Sequence, residues 1–203
     1  MRRRPKVPSL LAPLLALAAP PVAAQERPLL QPSRDVAVTY RVTSGEATGR
    51  SLQMAWLAGA RKLRVEAPGM QGFSVIDQKA QRMLLVMERE RAVVEVPPAA
   101  GGTLLPTEPP ANARFTRGGS ATIAGLACTV WHYEDGQARG ETCLTADGVM
   151  LRSSGTAGER SGTVEAVSVA YGRQDPARFE APAGYRSLAL PPGAVQGTPR
   201  PAR

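Results

Sequence analysis

Between Ile123 and Arg152 the chain reads IAGLACTVWHYEDGQARGETCLTADGVMLR, and no other stretch restricts the fold so tightly. It contains both cysteines, one of the two tryptophans, the single histidine and two Asp-Gly pairs. Asp-Gly supplies residues that accept positive φ, which tight two-residue hairpins need. With Asp135-Gly136 at a hairpin tip, Cys128 lies directly opposite Cys143, at a separation a disulfide can bridge. Asp147-Gly148 then turns a second hairpin that sets Leu144 against Leu151. The expectation is a three-stranded antiparallel meander, stapled at its base by a Cys128–Cys143 bridge.

The N-terminus has the layout of an export signal. Met1 to Lys6 is basic, Val7 to Val22 is apolar and rich in Leu, Ala and Pro, and Val22-Ala23-Ala24 is a small-residue cleavage site. Cleavage is expected between Ala24 and Gln25, so that residues 1–24 are a signal peptide and the mature protein is periplasmic. The apolar run is short and interrupted by Pro8, Pro13, Pro20 and Pro21, which argues against a stable membrane span. Loss of this segment removes Arg2, Arg3, Arg4 and Lys6 and no acid, taking the formal net charge from +8 to +4. Lysine occurs only at positions 6, 62 and 79, and no basic run carries interleaved aromatics, so nucleic acid is not an expected partner. Two cysteines in an exported chain are expected to pair. With one histidine in the whole chain, a Cys/His metal site is not expected.

Residues 25–34 form a polar, Pro-containing, irregular lead-in. From Asp35 to Val42, Val36, Val38, Tyr40 and Val42 share one face of a half-buried strand. Ser51–Leu57, with Leu52, Met54 and Trp56 on one face, and Lys62–Glu66 repeat the alternation. Phe73–Asp77 and Arg82–Glu88 form a hairpin about Gln78–Gln81. In its second arm Met83, Leu85 and Met87 lie on one face and Leu84 and Val86 on the other, so both faces are covered. Arg91–Val96 is the next strand. Residues 97–113 hold five prolines and two glycines, excluding helix or central strand, and read as a Pro-rich surface loop or as a flap with Leu104 and Leu105 as its apolar contact. Arg114–Arg117 and Ala121–Ile123 lead into the meander, and Thr163–Tyr171 is the last long strand. A turn or 3₁₀ segment from Asp175 to Tyr185 tucks Phe179 and Tyr185 onto the sheet, and residues 189–203 read as a disordered Pro/Gly-rich tail. About ten short strands at regular spacing, with no amphipathic helix, give a mainly β domain over 35–188, an antiparallel barrel or sandwich.

Little in this chain resembles catalytic machinery. His132 lies near a hairpin tip with Glu134 and Asp135 nearby in sequence and no convergent third group. No phosphate loop, dinucleotide fingerprint, His-Glu-x-x-His or nucleophile elbow is present. The expectation is no catalytic residue, no cofactor and no enzyme. The methionines carry more information: Met54, Met70, Met83 and Met87, with Trp56 and Phe73, crowd strands expected to be neighbours. Such residues fill a core or line an adaptable apolar cavity.

Alternating strands after an export signal, Ile76-Asp77 before a polar turn and the apolar strand RMLLVM resemble the periplasmic lipoprotein-carrier-like proteins of the LolA, LolB and RseB type. The meander with Cys128, Cys143 and Asp147-Gly148, and the closing DPARFEAPAGY with Phe179, Pro182, Gly184 and Tyr185, resemble an uncharacterised exported bacterial family related to that group. The resemblance spans about Asp35 to Leu188. It implies a single curved antiparallel sheet forming an unclosed half β-barrel whose concave face holds acyl chains beneath helices acting as a lid. This chain departs from the carriers in having neither an N-terminal helix before Asp35 nor a helical lid. The expected function is binding of an acyl chain, lipoprotein or other apolar partner on a concave face made from Met54, Trp56, Phe73, Met83, Leu85 and Met87. The alternative is a cell-envelope protein-interaction module with a filled core and no small ligand.

Overall fold

The computed structural model describes residues 26–44, 48–67, 69–96, 113–134, 136, 138–157 and 160–188. The expected signal segment 1–24, the Pro-rich loop apart from Ala113, the expected hairpin-tip residue Asp135 and the expected tail 189–203 lie outside the described residues. Among the described residues, alternation of apolar and polar side chains has produced twelve strands: β1 (Val36–Ser44), β2 (Ser51–Leu57), β3 (Lys62–Glu66), β4 (Gly72–Asp77), β5 (Arg82–Met87), β6 (Ala92–Val96), β7 (Arg114–Ile123), β8 (Leu126–Glu134), β9 (Ala138–Leu144), β10 (Met150–Ala157), β11 (Arg160–Tyr171) and β12 (Arg186–Leu188). The one helical element among them is a 3₁₀ turn, Pro176–Phe179.

All twelve strands join one sheet in the order β12-β6-β5-β4-β3-β2-β1-β11-β10-β9-β8-β7. The end strands β12 and β7 do not pair with each other, so the sheet is an unclosed half-barrel. Its curvature brings β7 back against β11, past the three strands between them. It also places Ile123, Cys128, Cys143, Val149 and Leu151 in one apolar core with Val36, Tyr40, Trp56 and Val65 of the other half. The expected antiparallel pairing holds in every ladder except the last. There β12 runs parallel to β6, with Arg186, Ser187 and Leu188 beside Ala92, Val93 and Val94. Three residues after a Pro- and Gly-containing turn carry no periodic signal, which is why this strand is absent from the sequence expectation.

Register within the meander corrects two pairings. The Cys128–Cys143 disulfide is present, with Cα atoms 5.4 Å apart. Cys143, however, lies opposite Val130, and Glu134 opposite Arg139. Four residues rather than two separate that last pair, so the register is displaced and the bridge runs diagonally. In the second hairpin Leu144 pairs with Met150, and a bulge between Met150 and Arg152 takes up Leu151, which is fully buried. Its turn is closed by the Gly148 amide donating to the Thr145 carbonyl (3.0 Å), and Gly148 adopts φ +87°, a left-handed conformation at low cost only for glycine. The 3₁₀ turn behaves as its sequence predicts: Asp175 Oδ1 accepts from the Ala177 amide (2.9 Å), and Phe179 is buried completely.

Candidate functional site: an apolar cavity under an N-terminal strap

Because strand side chains alternate, the registers sort the predicted site residues by face. Val38, Met54, Val65, Ser74, Leu85 and Val94 follow one another across β1 to β6, and Trp56, Leu63, Ile76, Met83 and Val96 form the next row on the same face. Met54, Trp56, Met83, Leu85 and Met87 therefore share a face. Phe73 does not: it pairs with Val86 on the opposite face. There it packs with Ala55, Val75, Leu84 and Phe179, under the Arg64 guanidinium 3.4 Å from the ring centroid. Ser74, not Phe73, occupies the shared face, because an even offset in register decides the side on which a residue falls.

The shared face divides again. Met83, Leu85 and Met87 pack with Ile76, Val94, Val96 and Leu188 near the β12 edge. Met54 and Trp56 instead line a cavity of about 250 Å³ with Val36, Val38, Tyr40, Leu52, Leu63, Met150 and Val164. Val36, Val38 and Tyr40 were readable as a strand face. Met150 and Val164 reach the cavity only through the curvature, and nothing local in the sequence marks them. The Tyr40 hydroxyl donates to the Met150 carbonyl (2.7 Å), tying β1 to β10 across the cavity floor, and burial pushes its phenol well above the ordinary tyrosine value.

What roofs the cavity is the lead-in. Residues 26–34 have no regular structure, yet Leu30, Gln31 and Pro32 line the cavity mouth. The Trp56 indole N–H donates to the Pro32 carbonyl (2.7 Å), and the Ser33 amide donates to the Asp147 carbonyl (2.9 Å). Arg34 Nε donates to Asp147 Oδ2 (2.7 Å), with the guanidinium stacked 3.8 Å from the Tyr171 ring centroid. Burial alone would raise the Asp147 carboxyl. Hydrogen bonds from Thr145, Arg34 and Tyr171 outweigh it and hold the group below the usual aspartate range. Leu30 packs against Ala113, Phe115, Trp131 and Leu144. A side chain at Gly148 would sit 2.2 Å from the Gln31 carbonyl oxygen, so the closeness of the strap depends on that glycine.

His132 is 57% exposed, and its Nδ1 lies 3.8 Å from Glu141, which also pairs with Arg152, itself beside Glu165. It lies beside a surface row of alternating charge, Glu141, Arg152 and Glu165, across β9 to β11. Among the described residues no three His, Cys, Asp or Glu side chains are placed to hold a metal ion, and no helix is long and apolar enough to cross a membrane.

Residues 40–153, more than half of the chain, match the family described as a domain of unknown function, DUF4412. The chain belongs to that family. Its matched region runs from the cavity wall in β1 through the disulfide to β10. No curated protein matches it in sequence. Among solved structures it is similar to an uncharacterised conserved protein of Thermus thermophilus (16% identity, TM-score 0.54, covering 78% of this chain and 91% of that one). It is also similar to MucB, an RseB-type protein (14% identity, TM-score 0.52, covering 76% of this chain), and spans 60% of MucB's length. The complex of MucA and MucB from Pseudomonas aeruginosa matches at 14% identity and TM-score 0.49, covering 78% of this chain and 62% of that one. The first two likenesses establish a shared fold, that of the family and group to which the sequence motifs pointed.

Proposed function

We propose that this chain is an exported, periplasmic, non-catalytic binding protein that holds the acyl chain of a lipid or lipidated partner in the concave cavity. The single observation behind this reading is the unfilled apolar space of about 250 Å³ walled by Val38, Leu52, Met54, Trp56 and Val164. A protein-interaction module with a filled core has no need of such a space. The volume lies just below the roughly 300–1,000 Å³ of common ligand pockets, which fits one short acyl segment rather than a whole lipid. Burying about six methylenes contributes roughly 5 kcal/mol before the cost of association, so binding of an isolated medium-chain acid is expected to be weak and reversible. Absence of a catalytic role rests on His132 lying beside a surface row of charge, away from the cavity.

The test is calorimetric titration of octanoate and decanoate into the wild-type protein and a Val164→Phe variant. The reading expects decanoate to bind more tightly than octanoate, and the added ring, filling the cavity, to abolish both. Equal affinity for the two proteins would place any binding elsewhere and defeat the proposal.

A further inference from the structure

The strap is held in a way that says what else its groove can hold. The fixed groups of the groove address its backbone: the Trp56 indole donates to the Pro32 carbonyl, the Asp147 carbonyl accepts from the Ser33 amide, and Gly148 leaves room for the Gln31 carbonyl. Contacts of this kind tolerate many sequences, because every residue has the same backbone. Selectivity comes from side chains at alternate positions. Leu30 and Pro32 line the cavity together with Gln31, whose side-chain oxygen accepts from the Arg61 guanidinium (3.2 Å), while Leu29 is 57% exposed. At the far end Arg117 pairs with Glu26 (3.1 Å). Among the described residues the strap joins no ladder of the sheet, and Arg27 and Arg34 also hold it through the Ala113 carbonyl (3.4 Å) and Asp147 (2.7 Å).

We propose that this groove is a docking site for an extended polypeptide segment supplied in trans, with the chain's own strap as its resident occupant. The partner segment carries an aliphatic residue two positions before a proline, to enter the Leu30 and Pro32 seats, and an acidic residue four positions before the aliphatic one, to meet Arg117. Proline suits its seat because it favours the extended backbone that the groove requires and gives up no N–H used there. This inference goes beyond the acyl-chain reading and does not depend on it.

The probe is a fluorescein-labelled peptide with the strap's own sequence, Glu26 to Arg34, titrated by fluorescence anisotropy into the full chain. Leu30→Asp and, separately, Pro32→Gly in the protein weaken the strap without touching the groove. Relief of internal competition should make each variant bind the peptide at least about tenfold more tightly than wild type, a gain of about 1.4 kcal/mol. Adding Trp56→Phe to the Pro32→Gly protein should reverse most of that gain, and a peptide bearing Asp in place of its second leucine should not bind. Failure of both strap variants to bind the peptide, or equal binding of the Asp peptide, would overturn the proposal. Octanoate titrated into the wild-type protein, whose cavity lining is intact, separates the two readings. Octanoate binding without peptide binding defeats docking alone, and the reverse defeats acyl binding alone.

Discussion

Gly148 and Gly136 form a natural pair of test and control for the strap. Both adopt left-handed backbone, at φ +87° and φ +86°, so alanine at either position incurs similar conformational strain of about 1–2 kcal/mol. They differ in what the new methyl would meet. Among the described residues an added methyl at Gly136 would meet no atom within 4 Å, whereas at Gly148 the Cβ would fall 2.2 Å from the Gln31 carbonyl oxygen and 2.7 Å from its carbon. Gly148→Ala must therefore lift the strap. That loses the Trp56–Pro32 and Ser33–Asp147 hydrogen bonds, each worth about 0.5–1.5 kcal/mol net, and the partial burial of Leu30, worth part of the roughly 1.5–3 kcal/mol of a fully buried leucine. Recovered chain entropy offsets part of this, leaving Gly148→Ala about 1–3 kcal/mol less stable than Gly136→Ala. Urea unfolding of the two variants measures the difference, and hydrogen exchange at the Ser33 amide locates it. Equal midpoints, with the Ser33 amide as protected in Gly148→Ala as in wild type, would refute the claim that the strap is seated on Gly148.

Other perturbations probe the frame and the latch. Removing the disulfide with Cys128→Ala and Cys143→Ala together should cost about 3 kcal/mol in the loop-entropy treatment of a fifteen-residue closure, read by chemical denaturation with and without reductant. Phe179→Ala should cost about 3–5 kcal/mol in the same assay, because the ring, carried by the 3₁₀ turn, is fully buried against β4 and β5. Asp147 has a folded-state pKa below its unfolded one, so its contribution to stability is complete above about pH 4 and is lost as pH falls further. Asp147→Asn should remove that part of the acid slope in melts taken below about pH 4.

How far the sequence discloses this molecule depends on whether the signal is local. Alternation in Val36–Val42, Leu52–Trp56 and Met83–Met87 places β1, β2 and β5 to within two residues, and the Asp175 cap with Pro176 announces the 3₁₀ turn. Register is not local. The pairing of Glu134 with Arg139 and the bulge at Leu151 shift the register, although the disulfide itself is readable from two cysteines alone. The same limit applies to the site. Met54 and Trp56 stand out as large apolar residues on a strand, but Phe73, equally large, falls on the other face because of one step in register. Met150 and Val164 reach the cavity only because the sheet curves. The strap, a polar segment with two prolines, carries no periodicity, and its role arises wholly from tertiary contacts to Trp56, Gly148 and Asp147.

The most direct measurement of the central claim is methyl NMR of the protein labelled with ¹³C at its methionine methyls, titrated with octanoate. Met54 lines one wall of the cavity and Met150 the opposite one, whereas Met70 is surface-exposed and outside it. Acyl binding in the concave cavity predicts saturable shifts of the Met54 and Met150 signals with Met70 unmoved. Saturating octanoate that leaves Met54 and Met150 in place, or moves Met70 as much as either, would contradict it.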